Sequence, residues 1–111
     1  MKEIIKAWNG EEITLKISED GYCFCPVCGE KARVKEWRPY DNEGRPSHDI
    51  CFCGFEYGFD DAGEPPYYTS WDEYRERWLK DEVKPMFGRQ MSRVEKLKQL
   101  NNLGIGSSQT S

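Results

Sequence analysis

The sequence predicts a small α+β domain: an antiparallel β core with a β-hairpin before it and one or two helices after it. Three observations lead to this class. Apolar and polar residues alternate over residues 13–17 after an Asn-Gly turn, all five cysteines lie in two short runs, and apolar residues recur at helical intervals beyond them. We expect one domain over residues 1–104, with the cysteine-containing core at about 22–60 and a disordered tail over 105–111.

The composition is that of a polar protein with a thin core. Of the 111 residues, 37% are hydrophobic and 32% are charged, and the formal net charge is −4. Four Trp, six Tyr and five Phe compensate for the few aliphatic residues, because each aromatic ring buries a large area. The acidic balance gives no support to a general nucleic-acid-binding protein, which usually carries a basic excess.

The cysteines indicate metal binding rather than disulfide bonds. The sequence shows no signal peptide and no run near the ~20 apolar residues that a membrane span needs. We therefore expect a cytoplasmic protein, whose thiols stay reduced. An odd count of five cysteines also prevents complete pairing within the chain.

The first predicted element is a hairpin over residues 3–17. Asn9-Gly10 suits the positive φ of a tight turn. Ile13, Leu15 and Ile17 alternate with polar residues, so one face of the second strand is apolar. We expect this face to cover the core.

The middle of the chain predicts further short strands. One strand covers residues 32–40, a turn occupies 41–46, and a return strand covers 47–52. The alternating aromatic residues over 55–59 predict one more strand.

An acidic loop is predicted at residues 60–66. Asp60, Asp61 and Glu64 lie there among Gly and Pro residues. Two interpretations remain open: a solvated loop that keeps the protein soluble, or an acidic contact or cation site.

A first helix is predicted at about residues 71–84. Ser70 occupies the N-cap position, Glu73 follows at the capping-box spacing, and Pro85 limits the helix. This helix either packs on the core or fits a partner's groove through one aromatic stripe: Trp71, Tyr74, Trp78 and Leu79.

A second helix is predicted at about residues 92–102. Ser92 and Glu95 repeat the capping-box spacing, and Gly104 suits its end. The helix has an apolar stripe: Met91, Val94, Leu97, Leu100 and Leu103. Its other side is basic: Arg93, Lys96 and Lys98. Docking on the domain's own core and docking on another chain both remain open.

Four thiols are predicted to hold one metal ion, with zinc as the first choice: Cys25, Cys28, Cys51 and Cys53. The two residues between Cys25 and Cys28 let the chain curl, so that both sulfurs face one point. One residue lies between Cys51 and Cys53, and we expect their side chains to share a face of an extended segment. Gly29 and Gly54 follow the two pairs and permit tight exits.

The ligand set leaves alternatives open. Cys23 is either a buried apolar side chain or a replacement for one of the four ligands, and His48 is a further possible ligand. Iron is the alternative to zinc. Four thiolates fill the metal's shell and leave no position for water, so we expect a structural ion and no catalytic residues.

The cysteine runs resemble those of small bacterial cysteine-rich proteins of the CPCC type. The similarity lies in residues 25–29 (Cys-Pro-Val-Cys-Gly), 48–51 (His-Asp-Ile-Cys) and 53–61, and residues 71–78 are similar to the short helix that often follows. The resemblance implies a zinc-ribbon-like antiparallel β domain with bound zinc in the bacterial cytosol. Its members are mostly of unknown function, and some are encoded in toxin–immunity neighbourhoods. Their second cysteine pair normally has two intervening residues, whereas this chain has one.

Three functions follow as hypotheses. The first is a non-enzymatic protein-interaction module, of the immunity type, whose acidic surface captures a basic partner protein. The second is a nucleic-acid-binding zinc ribbon that uses four cations beside two exposed rings: Lys31, Arg33, Lys35 and Arg38 with Trp37 and Tyr40. The third is a thiol-redox protein, which needs an accessible cysteine of low pKa.

Overall fold

A computed structural model describes residues 1–64, 66–84 and 90–105. The elements follow one another as β1 (Lys2–Lys6), β2 (Glu12–Lys16), α1 (Tyr67–Leu79), α2 (Arg93–Leu100) and a short 3₁₀ helix (Asn101–Leu103). The protein is therefore the small α+β domain that the sequence predicts, with a hairpin first and two helices later. The predicted disordered tail lies, apart from Ile105, outside the described residues.

β1 and β2 form the predicted hairpin. The strands pair antiparallel, with Lys2 opposite Lys16. In the turn Gly10 has a φ of 88°, and its N–H donates to the carbonyl of Ala7 at 2.9 Å. The inward side chains are buried: Ile5, Ile13, Leu15 and, beyond the strand, Ile17. The predicted turn and apolar face are both confirmed.

The strands predicted between residues 32 and 59 are wrong. Among the residues that the structure describes, only β1 and β2 are strands, and the middle of the chain has isolated bridges such as Tyr40–Pro46. The turn predicted at 41–46 is confirmed, because Asp41 N–H donates to the Arg45 carbonyl at 2.9 Å. Frequent turns use the backbone groups that a longer ladder would need.

The acidic loop contributes a buried carboxylate to the core. Asp61 is only 2% exposed, and it accepts hydrogen bonds from the Tyr40 hydroxyl at 2.5 Å and from the N–H groups of Gly58 and Gly63 at 2.9 and 2.8 Å. Trp71 donates its indole N–H to the same Tyr40 hydroxyl at 3.0 Å. Asp61 therefore belongs to the core, and its predicted place on an acidic contact surface is wrong.

α1 begins earlier than predicted. Pro66 is its N-cap residue and Tyr67 its first residue, so Ser70 lies inside the helix and does not cap it. Tyr67 is buried and donates its hydroxyl to the Gly44 carbonyl at 2.7 Å. This tertiary contact supports an extra turn that local capping signals do not predict.

α1 also ends earlier than predicted, at Leu79. Asp81 has a φ of 59°, which stops the helix. The core-packing interpretation of the aromatic stripe is confirmed, since Trp71, Tyr74 and Trp78 are all buried. At 13 residues α1 is the longest helix described, and no described helix has the length and apolar character to cross a membrane.

α2 carries the predicted capping box between Ser92 and Glu95, and Gly104, at a φ of 76°, ends the 3₁₀ helix that follows. The assignment of its faces is wrong at two positions. Val94 is 74% exposed, whereas Lys96 is 5% exposed.

The buried Lys96 ties α2 to the end of α1. Its ammonium group donates to the Trp78 carbonyl and to the Asp81 carboxylate, the latter at 2.6 Å. The Trp78 carbonyl also accepts the Asp81 N–H at 3.2 Å, so the lysine adds a second hydrogen bond to a carbonyl at the helix end. Leu100 is 1% exposed, so α2 docks on the domain's own core.

We predict that Asp61→Ala destabilises the domain by about 3 kcal/mol, because the Tyr40 hydroxyl and two backbone N–H groups would lose their buried acceptor. Urea unfolding measures the change. Glu64→Ala removes an exposed carboxylate from the same loop and should change the free energy of unfolding by less than about 0.5 kcal/mol. Equal effects of the two substitutions would contradict the role given to Asp61.

Candidate metal centre

The structure brings the four predicted ligands together. The thiol sulfurs of Cys25, Cys28, Cys51 and Cys53 all lie within 4.8 Å of one another, and Cys28 Sγ is 3.6 Å from Cys51 Sγ. A tetrahedral ion about 2.3 Å from each sulfur would separate the sulfurs by roughly 3.8 Å. The cluster therefore has the donor type, number and spacing that a metal ion needs.

Two similar backbone turns present these thiols, and we call them knuckle 1 (residues 24–31) and knuckle 2 (residues 50–56). In knuckle 1, Cys25 N–H donates to the Glu30 carbonyl at 2.8 Å, and Gly29 N–H returns to the Cys25 carbonyl at 2.8 Å. In knuckle 2, the Cys51 N–H donates to the Phe55 carbonyl at 2.9 Å, and the Gly54 N–H donates to the Cys51 carbonyl at 2.8 Å. The hydrogen-bond pattern is the same.

Knuckle 2 achieves this pattern with one residue fewer. The isolated bridges Phe24–Lys31 and Ile50–Glu56 close the two knuckles at equivalent places. Cys51 therefore corresponds to Cys25, and the repeated Cys-Phe-Cys of the sequence does not mark equivalent positions. Cys51 and Cys53 lie in a turn, so the predicted extended segment is wrong there.

Helix side chains hold the carbonyls of knuckle 1. Arg75 of α1 donates from Nε to the Val27 carbonyl and from a terminal nitrogen to the Pro26 carbonyl, both at 2.7 Å. After these, Gln99 donates its amide to the Cys28 carbonyl at 2.9 Å. Asn102 donates its side-chain amide to the next carbonyl, that of Gly29, at 2.9 Å. Four consecutive carbonyls thus have partners from elements distant in sequence.

Knuckle 2 also rests on α1. Tyr74 donates its hydroxyl to the Cys53 carbonyl at 3.2 Å. A Cβ at Gly54 would lie 2.7 Å from that hydroxyl oxygen and 2.7 Å from the Lys84 carbonyl. Gly29 is equally confined, since a Cβ there would lie 2.5 Å from the Gln99 carbonyl. Both glycines allow the helical segments to approach the ligands closely.

The protonation of the cluster is uneven. Burial opposes ionisation of Cys25, but hydrogen bonds from Cys28, Cys51, Cys53 and the Tyr57 hydroxyl lower the pKa of this thiol well below its usual value. The pKa of Cys28 and that of Cys53 are raised, mainly by burial and secondly by the hydrogen bond with Cys25. A divalent ion would have to displace the remaining thiol protons, so its affinity should fall as the pH falls.

The other predicted ligands lie outside the cluster. Cys23 is fully buried, its sulfur lies 3.5 Å from the Phe24 carbonyl, and burial raises the pKa of its thiol to about 12. His48 is exposed, has a φ of 65°, and lies against Gly58. The interpretation of Cys23 as a buried apolar side chain is therefore confirmed.

The predicted nucleic-acid face is not assembled as expected. Tyr40 is 1% exposed and cannot stack on a base. Arg38 forms two hydrogen bonds at 2.8 Å with the Glu3 carboxylate, and Lys31 pairs with Asp20 at 2.9 Å. One of the two rings on which that hypothesis depends is therefore buried, and two of its four cations are paired with carboxylates.

The sequence analysis missed the residues that support the ligands: Tyr57, Arg75, Gln99 and Asn102. Arg75 occupies a polar position of its helix pattern, and nothing in the local sequence distinguishes it from an exposed arginine. Only the docking of the helices on knuckle 1 identifies its role.

Comparisons with protein-family profiles, with curated proteins and with solved structures gave no match.

We predict that Arg75→Lys destabilises the protein by about 2 kcal/mol, because an ammonium group cannot reproduce two hydrogen bonds from a planar guanidinium. Thermal unfolding of the metal-loaded protein measures the loss. Arg77→Lys is the matched control on the same helix, since Arg77 is exposed and lies 5.6 Å from the centre of the Tyr74 ring. A loss for Arg77→Lys as large as that for Arg75→Lys would contradict the role given to Arg75.

Proposed function

We propose that the protein binds one zinc ion through Cys25, Cys28, Cys51 and Cys53, and that this ion is structural. The convergence of the four sulfurs within 4.8 Å carries the proposal. Zinc has no geometric preference of its own and accepts a tetrahedral set of thiolates readily. The bound zinc and bacterial cytosolic setting implied by the CPCC-type resemblance fit this proposal.

We further propose that the protein is a binding module rather than an enzyme. Four thiolate ligands would occupy every position of a tetrahedral ion, so no ligand position would remain for a water or a substrate. Three of these ligands are buried, with exposures of 2% for Cys25, 1% for Cys28 and 3% for Cys53. An ion in this place would stabilise the two knuckles and the helices packed on them.

A groove of about 300 Å³ beside Cys51 supports an interaction role. Its large apolar lining residues are Val34, Trp37, Ile50 and Phe52. Val34 is 59% exposed and Ile50 45% exposed, although both are aliphatic. Neighbouring apolar side chains that face solvent in a concave surface are typical of a docking site.

Two basic and two acidic residues line the groove: Lys31, Arg33, Glu30 and Asp49. The Arg33 guanidinium lies 4.4 Å from the centre of the Phe52 ring, and within the described residues it forms no salt bridge. Asp49, on the same wall, accepts the Trp37 indole N–H at 2.6 Å. We infer that the groove binds a segment of another protein that carries apolar side chains and a carboxylate.

We propose this partner in place of the basic one expected from the acidic loop, because the loop offers less free negative charge than its sequence indicates. Asp61 is buried in the core, and the Asp60 carboxylate accepts the Glu56 N–H at 2.7 Å. Of the three carboxylates in that loop, only Glu64 is exposed.

Elemental analysis and native mass spectrometry of untagged protein test the metal proposal. We expect one zinc per chain, and Cys28→Ser should lose it and fail to fold stably, because binding and folding are linked. Cys23→Ala is the control: it alters a buried cysteine outside the cluster and should retain the zinc. A wild-type protein without metal would refute the site, and stoichiometric iron would refute the choice of zinc.

Photo-crosslinking in the native host tests the groove. A benzophenone side chain at position 34 should capture a partner protein, and the same group at position 94, also on an exposed valine, should not. Arg33→Glu should reduce capture at position 34 at least tenfold, because it would repel the partner's carboxylate. Equal capture at both positions, insensitivity to Arg33→Glu, or capture of nucleic acid would overturn the proposal.

A further inference from the structure

We propose that Tyr57 is a positioning residue of the metal centre, whose hydroxyl donates a hydrogen bond to the Cys25 ligand and thereby tunes the bound metal. The inference rests on the proposed metal site. It goes further, because it assigns a role in metal affinity and electronic structure to one side chain outside the ligand set.

The contact joins the two halves of the site. Tyr57 follows knuckle 2 directly, and its N–H donates to the Asp49 carbonyl at 3.0 Å. Ala32 has the equivalent position after knuckle 1, since its N–H donates to the Cys23 carbonyl at 2.9 Å. From its place beside knuckle 2, Tyr57 brings its hydroxyl oxygen to 2.7 Å from the sulfur of Cys25 in knuckle 1.

The tyrosine ring is held in place by other aromatic rings. It makes edge contacts with Tyr40 and Phe55 at centroid distances of 5.6 and 5.1 Å, and a tilted contact with Trp37 at 5.8 Å. Tyr57 is fully buried. A ring packed on three sides delivers its hydroxyl to one place, so little conformational entropy is lost when the hydrogen bond forms.

The direction of the hydrogen bond follows from the charges. A metal-bound thiolate has no proton to give, so the phenol must donate. A divalent ion with four thiolates would carry a net charge of −2, and a buried donor at one sulfur stabilises that charge.

Cobalt substitution tests the inference in the full-length protein. Co²⁺ bound by four thiolates has sulfur-to-metal charge-transfer absorption, whose energy depends on how strongly each sulfur's electrons are held. In Tyr57→Phe we expect this absorption to move to lower energy, because Cys25 loses its donor. Competition with a chelator should show Co²⁺ affinity about tenfold lower, in the range typical for residues that support ligands.

Tyr74→Phe is the matched control. Tyr74 is also a buried aromatic residue beside the site, but its hydroxyl donates to the carbonyl oxygen of Cys53 rather than to a sulfur. Its removal should leave the charge-transfer energy unchanged, whatever it does to stability. Identical spectra for wild type, Tyr57→Phe and Tyr74→Phe would overturn the role of Tyr57 and leave the metal site intact.

A second measurement covers the case in which Tyr57→Phe does not fold. 3-Fluorotyrosine at position 57 retains the ring and is a stronger donor, so the absorption should move to higher energy. The same analogue at position 74 should have no such effect. No shift at position 57 would refute the inference, whereas a wild-type protein that binds no Co²⁺ would instead refute the metal site.

Discussion

The structure depends on one constraint: two knuckles, whose nearest cysteines, Cys28 and Cys51, have 22 residues between them, must place four thiols around a common point. The only regular sheet in the described residues is the two-stranded hairpin, and a hairpin of that size is marginal alone in water. The middle of the chain has single bridges in place of ladders, so little backbone pairing holds it. In a domain of this size a bound ion can supply the missing cohesion, since its binding energy is also folding energy.

The helices stabilise the site by satisfying its backbone. Arg75, Gln99 and Asn102 donate to four consecutive carbonyls of knuckle 1, while Tyr74 donates to knuckle 2. A tight turn leaves carbonyls directed away from the thiols, and burying them without partners would cost free energy. The helices therefore do more than cover an apolar core. They hold the cysteine-bearing turns in one conformation, which would lower the entropy cost of binding a metal ion there.

The sequence predicts those features that depend on neighbouring residues. Asn9-Gly10 predicts the hairpin turn, Ser92 and Glu95 predict the start of α2, and the two cysteine pairs with their following glycines predict the ligand set. Features that depend on distant contacts are missed. Asp61 looks like part of a solvated loop until Tyr40 is seen beside it, and Lys96 looks exposed until the end of α1 meets it. The repeated Cys-Phe-Cys is misleading for the same reason. The hydrogen bonds make Cys51 equivalent to Cys25, although the matching sequence would pair it with Cys23.

The surroundings of the four thiols suggest how the chain would distribute the negative charge of a loaded site. Cys51 is half-buried and lines the open groove, so water can stabilise its sulfur. Its counterpart in knuckle 1, Cys25, is 2% exposed and has no such access. The Tyr57 hydroxyl lies at that buried sulfur, where a donor has the largest electrostatic effect because no solvent screens it. In a loaded site the two equivalent cysteines would thus receive the same kind of stabilisation from different sources, water at Cys51 and the Tyr57 hydroxyl at Cys25.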